Sequence, residues 1–228
     1  MEIEVLYLDN HLFVVNKPAG VLVQGDRTGD PDLLSAGKAW LKEYFDKPGN
    51  VFLGLVHRLD RPVSGVIAFG RTSKSAARLS DQFRRRTPKK EYVSIVEGVL
   101  EGEGELVDYL VKEGERVRLV PPDAPGAMKA VLRYAAVESR DDRTLVTVHL
   151  ETGRPHQIRV QMANIGHPIT GDLRYGAKRE LDGRNIALHC FELGLHHPTR
   201  KDWVSWQAAP PATWGTRFEA SLRHLLKG

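Results

Sequence analysis

The sequence predicts an α+β fold: a mixed, mainly antiparallel β-sheet with flanking helices. Three observations point to it. Strand-like segments outnumber helical ones. Short turns, rather than helices, separate several neighbouring strands, so no βαβ alternation runs through the chain. No repeat of fixed period and no low-complexity tract interrupts the pattern.

The elements follow in order. Ile3–Tyr7 and His11–Lys17 are strands around the turn "LDN". "NKPAG" then breaks regular structure, because proline lacks a donor and glycine permits positive φ. "PDLLSAGKAWLKEYF" carries apolar residues at 33, 34, 40, 41, 44 and 45, the spacing of an amphipathic helix weakened by Gly37. "SGVIAFGRT" is a largely buried strand. "SKSAARLSDQFRRR" is a helix with Ala76, Leu79 and Phe83 on one face, ending at Thr87-Pro88. Lys90–Leu100 is a strand rich in β-branched residues, and "EGEGE" and "PPDAPG" are loops. "AVLRYAAVESR" and "RTLVTVHLET" pair around Asp141-Asp142. "PHQIRVQMANIG" is a helix with Pro155 near its start and Gly166 at its end. "IALHCFELGL" and "KDWVSWQA" are strands, and "ATWGTRFEASLRHLLKG" is a terminal helix.

Composition narrows the class. At 228 residues, 41% hydrophobic and 27% charged, the chain reads as an ordinary soluble globular protein. No apolar run approaches the ~18 residues of a membrane span. "MEIEVLYLDN" carries acids rather than a basic leader, so no signal peptide is expected. Cys190 is the only cysteine, which rules out an internal disulfide and multi-thiolate zinc sites and fits a reducing cytoplasm. The net charge of +4 and pI near 9.2 allow a polyanionic partner without demanding one.

Three stretches carry candidate chemistry. "VHRLDRPVSG" sets Asp60 between Arg58 and Arg61, with apolar runs on both sides. A loop so placed is anchored, and a carboxylate near cations stays ionised, fit to be a nucleophile or an electrostatic stabiliser. A surface ion pair of little energetic weight is the plainer reading. "RRRTPKK" holds Arg84, Arg85, Arg86, Lys89 and Lys90, five basic residues of seven and no acid within the run. Phosphate binding explains that surplus better than a solvated helix end, without distinguishing RNA from DNA. "ETGRPHQIRVQ" holds Arg154, His156 and Arg159, with no second ligand at a metal-binding spacing. His196-His197 are adjacent and precede Pro198, the wrong geometry for a helical metal site. No GxxxxGK[ST], GxGxxG or GxSxG motif is present, which argues against kinase, dehydrogenase and α/β-hydrolase chemistry. Paired glycosidase carboxylates stay open.

"VHRLDRPVSG" resembles the HRLD-x-x-[ST]SG motif of the RluA-type RNA pseudouridine synthases. Four further segments agree in order: "VVNKPAG", "PKKEYVSIVEG", "TGRPHQIRVQMANIGHPITGDLRYG" and "ALHCFELGLHHP". Together they span about Asn16 to Pro198. The resemblance implies a bent antiparallel sheet around a central catalytic cleft. It implies one catalytic domain over 1–228, without the S4 domain that many members carry. It implies isomerisation of a uridine in ribosomal or transfer RNA, with no redox change, energy input or cofactor. No metal is expected because no convincing ligand set is present, and with no obligate protein partner evident a monomer is expected. By the same match Asp60 is the nucleophile, with C1′ or C6 as its target. Arg159 pairs with it, Tyr92 lies against the base, and Ile158 helps form the base pocket. Arg58 fills the space left by a flipped base, and His57 is counted among the RNA-contacting residues. Val63 departs from the usual Thr or Ser, exchanging a hydrogen bond for packing, and Cys190 replaces a common alanine. A non-catalytic RNA-binding descendant, a carboxylate nucleosidase, and a basic fold with a structural Asp60 and no RNA role are the rivals.

Overall fold

The computed structural model describes residues 1–183 and 185–226. They form two compact units, each discontinuous in sequence. The first joins Met1–Lys89 to Cys190–Ala209; the second joins Lys90–His189 to the C-terminal segment from Pro210.

In the first unit, β1 (Glu4–Leu8) and β2 (Leu12–Lys17) form a hairpin. Asp9 shapes its turn, since one carboxylate oxygen accepts the His11 and Leu12 N–H groups at 2.7 Å each. β2 pairs antiparallel with β4 (Ser64–Gly70), which is buried along its whole length as its apolar composition demands. The short β3 (Gly54–Leu55) lies along the end of β4. β10 (Leu188–His196) follows β4 in the strand order, and β11 (Trp203–Gln207) pairs antiparallel with β10. Two helices pack beside these strands. α1 (Leu33–Tyr44) is capped by Asp32, whose carboxylate accepts the Ser35 N–H at 3.0 Å. Gly37 does not break it, because a Cβ there would come within 3.0 Å of Leu53 and 3.2 Å of Phe13. The missing side chain allows close packing. α2 (Ser73–Arg85) begins with a reciprocal Thr72–Ser75 capping box and ends on Arg86 in the left-handed region, φ 60°. Leu79 of α2 joins Leu12, Val14, Val66, Ala68, Leu193 and Leu195 in the core.

The second unit is an antiparallel sheet with strand order β5-β9-β8-β6-β7, in which the hairpins β6-β7 and β8-β9 lie side by side and β5 pairs with β9. Its strands are β5 (Lys89–Glu97), β6 (Glu103–Glu113), β7 (Arg116–Leu119), β8 (Met128–Arg140) and β9 (Arg143–Leu150), and these neighbours all pair antiparallel. Asp141 and Asp142 both take positive φ, 51° and 55°, as a two-residue hairpin turn between β8 and β9 requires. α3 (Gln157–Asn164) is buried from Gln157 to Met162, and Val160 packs with Leu110, Val117 and Ala130.

The α+β, largely antiparallel prediction is borne out, with two corrections. "EGEGE" is not all loop, since β6 begins at Glu103 and alternates exposed and half-buried positions. The terminal helix is shorter than its apolar spacing suggests. A 3-10 turn covers Ala212–Trp214, Gly215 turns the chain at φ 74°, and α4 occupies only Glu219–Leu225. The predicted helix's last residues, Lys227 and Gly228, lie outside the described residues. No described helix is long and apolar enough to cross a membrane.

Candidate active site

Asp60 sits half-buried on the short loop between β3 and β4. The loop is tied down from both sides. On its own strand side, the Val63 N–H donates to the Asp60 carbonyl at 3.0 Å, and Val63 and Ser64 are buried. Gly65 takes φ 128°, and any Cβ there would collide with the Cys190 backbone. That close approach explains why glycine follows Ser64. Val63, which stands where the family pattern has Thr or Ser, is buried. On the other side, the "NKPAG" segment grips Arg61. The Gly20 N–H donates to the Arg61 carbonyl at 2.9 Å, and Arg61 Nε donates to the Gly20 carbonyl at 3.0 Å. Arg61 Nη2 also pairs with Asp30 at 2.7 Å. This arginine is part of the scaffold.

Lys17 completes the anchorage, and sequence reasoning does not single it out. It ends β2 with its side chain fully buried. Its Nζ donates to the carbonyls of Pro18 (2.9 Å), Val21 (2.8 Å) and Arg61 (3.1 Å). Three acceptors match the three N–H groups of an ammonium. Burial pulls the Lys17 pKa down to about 7, the Asp60 carboxylate opposes that fall, and Arg61 adds to it. Its signals in the sequence are a lysine closing the apolar run "LFVVNK" and its place in the "VVNKPAG" segment.

The second unit holds the other expected catalytic residues. Tyr92 lies on β5 opposite Val148 and is buried. Ile158 and Arg159 lie in the first turn of α3 and are also buried. Arg159 has a partner that the sequence does not reveal: Nε donates to Asp172 Oδ2 at 2.7 Å and Nη2 to Oδ1 at 2.9 Å. The Arg159 guanidinium also lies 5.1 Å from the centre of the Tyr175 ring. The Tyr175 hydroxyl bonds to His156 Nδ1 at 2.7 Å and accepts the Val117 N–H at 3.0 Å.

The RNA-contact candidates divide. Arg58 is exposed and has no hydrogen-bond or ion-pair partner among the described residues. His57 has scaffold contacts: Nε2 accepts the Ala68 N–H at 3.0 Å, and the ring stacks on Phe83 at 4.3 Å. In the basic run, Arg84 is 78% exposed but pairs with Asp81, and Arg85 reaches the same carboxylate at 3.6 Å. Lys89 meets Glu192 at 3.5 Å. The run has no acid of its own, yet the fold sets Asp81 and Glu192 beside it. Arg86 is its exposed helix-ending residue. His197 is buried and bonds through Nε2 to Asp9 at 2.8 Å, which ties the β10–β11 turn to the β1–β2 turn. No group of three or more potential metal ligands occurs among the described residues.

The family model described as RNA pseudouridylate synthase matches residues 11–164. The dual-specificity RNA pseudouridine synthase RluA of Haemophilus influenzae is 33% identical over 90% of this chain and 92% of its own length. The ribosomal large subunit pseudouridine synthase C of Vibrio parahaemolyticus is 30% identical over the whole of this chain and 70% of its own. The solved structure of human RNA pseudouridylate synthase domain containing 4 superposes with a TM-score of 0.77 over 98% of this chain and 93% of that one. At 23% identity this likeness bears on the fold. The chain belongs to the RNA pseudouridine synthase family, in its RluA-type branch, and is an isomerase.

Proposed function

We propose that this enzyme converts uridines in structured ribosomal or transfer RNA to pseudouridine, with Asp60 as nucleophile and the target base extruded from its stack. The N1–C1′ bond breaks and a C5–C1′ bond forms. The C5 proton leaves and N1 gains one, so no atoms are lost and no oxidant, energy source or cofactor is needed. The observation that carries this reading is the anchorage of the Asp60 loop by Lys17, Arg61 and the buried Val63–Gly65 segment. Catalytic carboxylates need such fixed aim. The name of the Vibrio relative, which specifies the large ribosomal subunit, supports a ribosomal substrate.

In this reading Arg159 keeps Asp60 ionised and oriented, Tyr92 lies against the base, and Ile158 walls its pocket. Arg58 has no partner among the described residues to give up, and it fills the vacated stack, where extrusion costs a few kcal/mol. Arg84, Arg85, Arg86, Lys89 and Lys90 meet phosphates, and His57 supports the loop from which Arg58 reaches the RNA. The protein works as a monomer, in the cytoplasm, with both units serving one catalytic domain.

The test is tritium release from RNA labelled at uridine C5. Asp60→Asn keeps the shape and removes the nucleophile. It should bind RNA as the wild type does and release no tritium. Turnover within about tenfold of wild type would remove Asp60 from the mechanism. Free uracil among the wild-type products would identify a nucleosidase instead.

A further inference from the structure

We propose that Asp172 is the positioning residue for Arg159, and that Tyr175 and His156 complete the clamp. This rests on the reading above, in which Arg159 serves the nucleophile.

The geometry is that of a fork. Arg159 is 5% exposed and Asp172 is 1% exposed. The two bonds at 2.7 and 2.9 Å engage Nε and Nη2 side-on, which fixes both the plane of the guanidinium and its rotation. Nη1 stands outside the fork. A buried ion pair is weak support for a fold, since an apolar pair of similar volume often serves as well. Its presence in the first turn of α3 points to a need for a charge at one place.

The carboxylate is itself held. Asp172 opens the 3-10 turn Leu173–Tyr175. Its N–H donates to the Ile169 carbonyl at 2.9 Å, and its carbonyl accepts from Tyr175 at 3.0 Å and Ala177 at 3.1 Å. Gly171 before it takes φ 89°, and a Cβ there would fall 2.6 Å from the Asn185 carbonyl. The same turn delivers Tyr175, whose ring covers the guanidinium. Its hydroxyl bonds to His156, the residue preceding α3, which holds a left-handed φ of 51°. One short turn therefore provides the counter-charge, covers the cation and pins the start of the helix that carries it. A guanidinium held this way offers its charge at a fixed position without reorganising during the reaction.

Single-turnover kinetics at saturating RNA test this. Asp172→Asn keeps the side-chain shape and should lower the rate constant by about 10²-fold, the scale of a mis-aimed catalytic group. RNA affinity should stay within roughly threefold, a shift of under one tenfold step in binding. The amplitude, which counts competent enzyme, should not change. Asp172→Glu should recover part of the rate, and Tyr175→Phe should lose part of it. In an Arg159→Ala background, Asp172→Asn should cost nothing further, because its effect acts through Arg159. The proposal is overturned if Asp172→Asn lowers only the amplitude while the reacting fraction keeps the wild-type rate. It is also overturned if the two effects multiply in the double variant. If Asp172→Asn fails to fold, Asp172→Glu and Tyr175→Phe carry the same comparison. An inactive Asp60→Asn beside a wild-type rate for Asp172→Asn would sink this inference alone, whereas an active Asp60→Asn would sink the underlying mechanism.

Discussion

Raising the pH should stabilise the wild-type chain relative to Lys17→Met, and the size of the effect follows from the burial of Lys17. In the folded chain its pKa falls to about 7, against an ordinary lysine value of 10.5. Between those limits the unfolded chain holds a proton that the folded chain has released. Unfolding then takes up a proton, so stability rises with pH. Below pH 7 both states are protonated and this contribution is flat at its least favourable level. Each pH unit inside the window adds about 1.4 kcal/mol. From pH 6 to pH 9 the gain is about 2.5–3 kcal/mol, because the first unit of that range lies mostly below the folded pKa. Methionine fills a similar volume and does not titrate, so other groups cancel in the difference between the two chains. The measurement is urea unfolding of both proteins at pH 6, 7.5 and 9. A free-energy difference constant to within about 0.5 kcal/mol would refute the reasoning, since independent sites add to that precision. It would mean that the three carbonyls restore to the ammonium what burial takes away.

Neutralising Arg84, Arg85, Arg86, Lys89 and Lys90 to glutamine should weaken RNA binding and flatten its salt dependence. Each phosphate interaction removed should reduce the log–log slope by roughly 0.7–0.9. Asp81 and Glu192 already compensate three of these cations, so the total should fall short of five such interactions; unchanged slope and affinity would leave the run as a solvated helix end. Arg58→Ala should slow reaction most on a uridine inside a folded stem-loop and least on the same uridine in an unstructured strand. The two effects should differ by ~10² or more in single-turnover rate; equal effects would assign Arg58 to orienting Asp60 or to phosphate binding.

Features governed by local pattern can be read from the sequence. β2 and β4 announce themselves as apolar runs, the Asp141-Asp142 turn as a break between two β-branched segments, and α2 as a stripe of Ala76, Leu79 and Phe83. The start of β6 is hidden because "EGEGE" has the composition of a loop, while its pairing with Tyr134 and Arg133 of β8 decides its structure. The C-terminal helix looks longer than it is because apolar spacing continues through Gly215, whose φ of 74° breaks it. Asp60, Tyr92 and Arg159 stand out through motif resemblance; spacing alone does not single out any of the three. Lys17 and Asp172 escape for a shared reason. Each works through a contact that periodicity does not encode, with Arg61 44 residues on for one and Arg159 13 residues back for the other.

The unit that holds Asp60 takes most of β10 and all of β11 from residues 190–209, after most of the other unit has been made. During synthesis, Asp60, Lys17 and β4 emerge early and then wait for β10 and β11. At ~5–20 residues per second, the 120 residues between positions 89 and 209 take roughly 6–24 s to make. Through most of that interval the flank of β4 that will receive β10 is paired only with the short β3 at its Phe69–Gly70 end, and the backbone of Cys190 that crowds Gly65 is not yet there. The HRLD loop is therefore carried for seconds in a unit that still lacks β10 and β11, a stage exposed to mispairing along β4.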